Sequence, residues 1–461
     1  MRVLFQIRRS YRDLVGGDVT VMRWTAAHLR RSGIEVDESG DVEPDLSTYD
    51  LVHVIDSAPG EETFLQGMNA IERRKPLVLT PLYWDPAEYD ERGRWPPAAL
   101  AGEGDPSRAR RLRAARDQVR TAKRRFLVEM ADMVLPSSEL ERRRLQKDLG
   151  VEHDRYRVVP WAADETSGEA LAEEFVQQYG LREFVLCVAR IEDHKNQLAL
   201  VEACQRLGLP LVLVGPPGPL QPGYLEACRQ AAGATPLLML GRLEGRPLRA
   251  AYAAAKVHAL VSWWEIPGLA SLEAAAAGCN VVAGDRGSAR EYLGELAWYC
   301  DPGDIGSIAS AVAAAHAAPR STALREHMLT QYSWKRTAQT TLDAYREVAT
   351  KGTGDRRSPA ASADEQTRRV RLLEELARAQ ESHLWLKSVV SEDMAHQLAE
   401  HKTVLADRER QLAEYRLVLA DRERQLAEHR TVLADRERQL AEYRLVLADR
   451  ERQLAEQDSR A

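Results

Sequence analysis

Residues 256–284 read KVHALVSWWEIPGLASLEAAAAGCNVVAG, and this stretch decides the fold. Residues 257–262 form a short apolar run bounded by turn chemistry, the pattern of a strand buried on both faces of a sheet. After Pro267 and Gly268 come Leu269-Ala-Ser-Leu-Glu-Ala-Ala-Ala-Ala277. These are strong helix formers that stop at Gly278, a residue able to take a left-handed cap. Residues 280–284 supply the next strand and complete a βαβ unit.

Two glutamates frame the loop, with seven residues between them. Glu265 falls in the strand-to-helix loop and Glu273 about a turn and a half into the helix. Both can therefore face the crevice at the carboxyl ends of the strands, where open α/β sheets bind ligands. The backbone N–H groups around Gly268, Leu269 and Ala270 begin the helix and favour an anion. An anion cradle between two acceptors for hydroxyls suits a nucleoside diphosphate sugar.

The segment Glu265-Ile-Pro-Gly-Leu-Ala-Ser-Leu-Glu273 resembles the Glu-x7-Glu motif of retaining GT-B glycosyltransferases of the family 4 type. The resemblance implies an α/β GT-B fold of two doubly wound Rossmann-like domains. The first, residues 1–162, would hold the acceptor and the second, residues 163–333, the donor. A helix over 334–350 would cross back to the first domain. Ile266 and Pro267 stand where the family usually has small or aromatic residues, a departure beside the donor sugar.

Composition narrows the function classes. At 461 residues the chain is long enough for about three domains with full cores. A net charge of −6 makes no global case for nucleic acid binding. Cys187, Cys204, Cys228, Cys279 and Cys300 lie far apart, with no Cys-x-x-Cys pair and no His cluster. A reduced, cytoplasmic protein with no metal site and no cofactor beyond its donor is the simplest expectation. No apolar run reaches transmembrane length, so neither secretion nor membrane spanning is expected.

In chain order, residues 2–7 read as a strand, followed by Gly16-Gly17 and a helix over 19–31. The glycine pair permits close approach to a ligand, and in the resembled family a Gly-Gly loop faces the site from the N-terminal domain. Further strands are expected at 50–55, 77–80, 133–136 and 157–160. Many relatives place a His after the second of these; here the chain reads Pro81-Leu82-Tyr83-Trp84-Asp85. His53, within a strand, reads as a packed residue rather than a substitute. Residues 85–107, rich in Pro, Gly and charge, suggest an acceptor-side loop.

From Arg108 to Arg125 stand nine Arg or Lys against Asp117 alone, with Leu112, Ala115, Val119, Ala122 and Phe126 at helical spacing. Such a helix suits peripheral contact with an anionic membrane face and a lipid-linked acceptor, or equally a solvated helix packed by the same stripe.

The second domain starts with a strand over 184–189, followed by Arg190 and Lys195. Cations at a strand's carboxyl end suit phosphates, and their spacing matches the family's Arg and Lys pair for the donor diphosphate. His194, between them, is expected to be exposed. Strands at 211–215, 236–241, 257–262, 280–284 and 297–300 complete a doubly wound sheet. Arg242 and Leu243 sit where the family contacts the nucleobase, and residues 286–291 resemble its small-residue loop near the donor.

The C-terminus is a different material. Residues 351–366 have linker composition. The segment 367–459 is expected to be a helical tail, with Leu405, Leu412, Leu419, Leu426, Leu433, Leu440, Leu447 and Leu454 every seventh position. That period implies a left-handed coiled coil and a homo-oligomer or partner. The seam is thin, because Arg alternates with Tyr or His three residues after each Leu, and a single charged helix is the alternative.

The expected activity is metal-independent sugar transfer, with retention, from a nucleoside diphosphate sugar to a hydroxyl acceptor, in cell-surface polysaccharide or glycolipid synthesis. Arg190, Lys195 and Glu265 would act at the reacting centre, and Glu273 would hold the ribose. No Asp-x-Asp triplet occurs, as a metal-dependent GT-A enzyme would need. An inactive GT-B scaffold working through its tail is the alternative.

Overall fold

The computed structural model describes residues 1–56, 61–93, 106–163, 169–218, 223–351, 371–372, 374–380 and 436. The chain divides into two compact units, Met1–His383 and Leu384–Ala461. The heptad leucines and the linker 351–366 fall outside the described residues, except for Lys351.

The first sheet is built from β1 (Arg2–Gln6), α1 (Gly17–Arg31), β2 (Glu35–Ser39), β3 (Leu51–Ile55) and α2 (Glu61–Glu72). It continues with β4 (Leu77–Thr80), α3 (Ala87–Arg92), α4 (Pro106–Met130), β5 (Met133–Val134) and α5 (Glu139–Leu149). Helix α6 (Glu169–Tyr179) then leads into β6 (Val185–Val188), α7 (Gln197–Leu207), β7 (Leu211–Val214), α8 (Tyr224–Ala232) and β8 (Leu237–Met239). The second sheet is completed by α9 (Gly245–Ala254), β9 (Val257–Leu260), α10 (Leu269–Ala276), β10 (Asn280–Gly284), α11 (Ala289–Leu293) and β11 (Trp298–Cys300). Three helices close the fold: α12 (Ile305–Ala317), α13 (Thr322–Gln331) and α14 (Trp334–Lys351).

Both sheets are parallel, in the orders β2-β1-β3-β4-β5 and β11-β10-β9-β6-β7-β8. Each order reverses once, between β1 and β3 and between β6 and β9, and ligands of such sheets bind at that reversal. The architecture is thus an α/β pair of doubly wound sheets, consistent with GT-B. Strands β3, β4, β7, β9 and β10 are buried along their whole length, as parallel strands covered on both faces should be.

Two strand expectations are corrected. Residues 157–160 form no strand: a lone bridge joins Tyr156 to Val134. Arg157 N and Val159 N still bond the Val134 and Pro136 carbonyls, but Pro136 has no N–H to return the bond, so no regular ladder forms. Conversely β2, EVDES, is a strand the alternation rule passes over, because only Val36 is buried on this polar edge. Arg2 pairs with Asp37 at 2.8 Å across it.

Helix α14 packs back onto the first sheet through Ala338, Leu342, Tyr345 and Val348. The Tyr345 hydroxyl lies 2.6 Å from His53 Nδ1, and His53 Nε2 lies 2.8 Å from Thr80 Oγ1. His53 is buried and its pKa is pushed down to about 3, so it is a packed strand residue that stays neutral. Helix α4 turns Ala115, Ala122 and Phe126 inward, so its apolar stripe serves the core of the first domain. Leu372, Leu376 and Ala379 join that same core, and Glu375 pairs with Arg125 at 2.9 Å. These residues therefore pack with the first domain, although composition alone groups them with the tail. Among the described residues no helix is long and apolar enough to cross a membrane.

Candidate active site

The reversal between β6 and β9 gathers the second domain's charged loops. Helix α10 ends as its composition demands. The N–H of Gly278, at φ +85°, bonds the Ala275 carbonyl, and that of Cys279 bonds Ala274, a Schellman closure. At its start Gly268 adopts φ +89° and serves as N-cap, where a Cβ would press on Glu265 Cβ and Cγ at 3.3 Å. This turn directs Glu265 back over the loop that follows β6.

There Lys195 Nζ donates to Glu265 Oε1 at 2.6 Å, with both side chains largely buried. Residues 70 apart in sequence thus meet at the sheet's reversal. Arg190, beside them, is about half exposed and pairs with Glu192 at 3.3 Å. Glu273 accepts from the hydroxyl of Tyr252, a fully buried residue of α9, at 2.9 Å. Arg242 pairs with Glu244, Nε to Oε1 2.7 Å, and Leu243 packs against the core of the second domain.

From the first domain, Gly17 opens α1, and a Cβ there would lie 3.5 Å from Leu269 Cδ1. The Gly16-Gly17 turn therefore faces the N-terminus of α10 across the crevice. Ile266 and Leu269 pack against the first domain's Val21 and Trp161 and against Trp334 of α14, which explains a bulky aliphatic residue at 266.

The loop after β10 lies beneath Glu265. A Cβ on Gly287 would come within 2.6 Å of the Glu265 carbonyl oxygen, so only glycine fits this approach. Ser288 N also donates to that oxygen at 3.3 Å.

His194 is corrected: its side chain is largely buried, stacked on Trp264 at 4.8 Å and 12°. Burial, then Lys195 and Arg190, hold its pKa well below 6.5. The loop that follows β4 holds Tyr83 and Trp84. Their loop is pinned by Glu141, a buried N-terminal residue of α5, which accepts from Tyr83 N at 2.8 Å and Ser137 N at 2.7 Å. Burial raises the Glu141 pKa while these donors lower it.

Aromatic residues missed in the sequence line the interdomain crevice. Trp84 stacks toward Trp264 at 6.4 Å and 15°, and the Arg144 guanidinium lies 3.7 Å over the Trp84 ring. Tyr89 stands edge-on to Trp264 at 5.3 Å and bonds Asp193. Arg286 binds Glu88 at 2.8 Å and Asp301 at 3.1 Å, and Glu291 accepts from Glu139 N and Leu140 N at the start of α5. The available signal was a Trp pair in a loop and a third Trp after β4, bulky rings where turns prefer small residues. Among the described residues no group of three or more His, Cys, Asp or Glu could hold a metal ion.

Residues 182–317 match the family described as Glycosyl transferases group 1, a segment spanning the second sheet. No curated protein matches the chain. Among solved structures, sucrose-phosphate synthase from Thermosynechococcus elongatus is 19% identical over 75% of this chain and 98% of its own, with a TM-score of 0.61. HepE of Anabaena, solved with UDP and glucose, is 16% identical over 76% and 100%, with a TM-score of 0.60. An α,α-trehalose 6-phosphate synthase from Burkholderia multivorans is 16% identical over 72% and 76%, at 0.50. At such identities the likeness is one of fold.

Proposed function

We propose that this chain transfers a sugar from a nucleoside diphosphate sugar to a hydroxyl acceptor, with retention and without a metal ion. The observation that carries the reading is the contact of Lys195 with Glu265 at the β6/β9 reversal, beside the N-terminus of α10. The match of residues 182–317 to glycosyl transferases group 1 and the neighbours solved with UDP support it.

In this reading the donor diphosphate lies against Lys195, Arg190 and the N–H groups of Gly268, Leu269 and Ala270. As the bond from anomeric carbon to phosphate oxygen breaks, negative charge grows on the diphosphate where these groups already stand. Glu265 orients the sugar and stabilises positive character at that carbon, and Glu273 holds the ribose hydroxyls. The acceptor oxygen bonds to the same face, and its proton passes to the departing phosphate oxygen, so no separate base is required. The nucleobase lies near Arg242 and Leu243, and Gly16 and Gly17 close over the donor. The tail acts as a spacer or assembly element, and the acceptor belongs to a cell-surface polysaccharide or glycolipid.

The test is a panel of nucleoside diphosphate sugars added to the full-length chain, following thermal stability and slow nucleotide release, with Glu273→Ala in parallel. Stabilisation by one donor, lost in the variant, is expected. No response to any donor would replace this reading with that of an inactive scaffold.

A further inference from the structure

Resting on the transferase reading, we propose that the cavity lined by Trp84, Tyr89 and Trp264 binds an uncharged sugar ring of the acceptor. The cavity is about 190 Å³, smaller than the roughly 300–1,000 Å³ of sites for drug-sized ligands, and so suits one ring rather than an extended chain. It lies between the domains, walled by Trp84, Tyr89 and Trp264. Arg144 covers one face of Trp84 and His194 one face of Trp264, and the aromatic surface left open carries negative charge density that attracts the slightly positive C–H bonds of a sugar ring.

The rim is charged but balanced. Asp85 and Asp148 offer acceptors, Arg144 and Lys147 offer donors, and Arg286 is already matched by Glu88. A hydroxyl is both donor and acceptor and uses both kinds of partner. With three cations against three carboxylates the rim offers a phosphate or carboxylate no net attraction to offset its loss of water, and an acyl chain would strip water from charges it cannot bond.

Two unpartnered atoms belong to residues that line this cavity and a smaller neighbour beside Glu265. Arg144 Nη1 and Ser288 Oγ are buried without a hydrogen-bond partner. A smaller cavity lined by Ser288 and Glu265 shares Trp84 and Arg144 with the larger one. That smaller cavity, about 10 Å³, has room for one water-sized group, so a single hydroxyl of the bound ring entering it would partner these atoms, whose isolation is otherwise costly.

The experiment titrates the full-length chain with methyl glucoside, methyl galactoside, methyl mannoside and glucuronate, reading tryptophan fluorescence. At least one neutral glycoside should give a saturable change, with affinity reduced about tenfold in Trp84→Ala. The exposed variant Lys147→Ala, which spares the core, should weaken the same glycoside severalfold. Both variants should keep their thermal response to UDP. No saturation by any neutral glycoside, saturation by glucuronate alone, or unaltered affinity in both variants would overturn the proposal. Absence of any UDP response in the unmodified chain would instead sink the donor reading, so the two failures are distinct.

Discussion

Replacing Glu265 with Gln should tighten UDP binding while slowing sugar transfer, two changes of opposite sign from one substitution. Lys195 and Glu265 stand 2.6 Å apart, with side chains 18% and 15% exposed. At an effective dielectric of about 20 that separation corresponds to an attraction of about 6 kcal/mol. Desolvation of two ions offsets most of it, leaving a net coupling of about 1–2 kcal/mol. A diphosphate that recruits Lys195 must share or displace this pair and approach a second negative charge. An amide removes the competitor and the repulsion, so UDP affinity should rise by about 5- to 30-fold. Transfer, which would use the carboxylate at the reacting carbon, should fall by about 10²–10³. Isothermal titration with UDP and with inorganic diphosphate, alongside steady-state transfer, measures both. Lys195→Ala should weaken both ligands, and thermal unfolding verifies that each variant folds. UDP affinity unchanged or reduced in Glu265→Gln would refute the placement of the diphosphate on Lys195.

Glu141→Ala strands the buried N–H groups of Tyr83 and Ser137 and should cost about 3–5 kcal/mol in urea unfolding, against less for Glu141→Gln. Gly268→Ala forces a side chain onto φ +89° and against Glu265. It should lose about 1–2 kcal/mol of stability together with most of the donor response. His53 and His258 are both buried with pKa values pushed from 6.5 down to about 3. The unfolded chain therefore takes up their protons first. Their contribution to stability is complete above about pH 6.5 and declines toward pH 3, by up to about 2.7 kcal/mol per pH unit for the pair. Urea midpoints across that range should show a shallower dependence in His258→Gln, and an identical slope would contradict a neutral buried imidazole.

The legible parts of this protein are those whose physics is local. The alanine run after Gly268 and the cap at Gly278 announce α10 because helix propensity and capping act within a few residues. The apolar runs at 77–80, 211–214 and 257–260 announce strands because a parallel strand hides both faces. That logic passes over β2, a polar edge, and overcalls 157–160, where Pro136 on the facing chain lacks the N–H a full ladder needs.

The sequence by itself determined the two doubly wound layers, the Glu265 to Glu273 frame and the cations after β6. Only the tertiary structure decided what each group meets. Lys195 and Glu265 lie on different loops, His53 finds Tyr345 across 292 residues, and Leu372 and Leu376 join a core begun before residue 5. The pairing of Trp84 with Trp264 depends on how two domains face one another. Propensity and periodicity report a residue's neighbours along the chain, whereas a site is made of neighbours in space, set by strand order and domain packing.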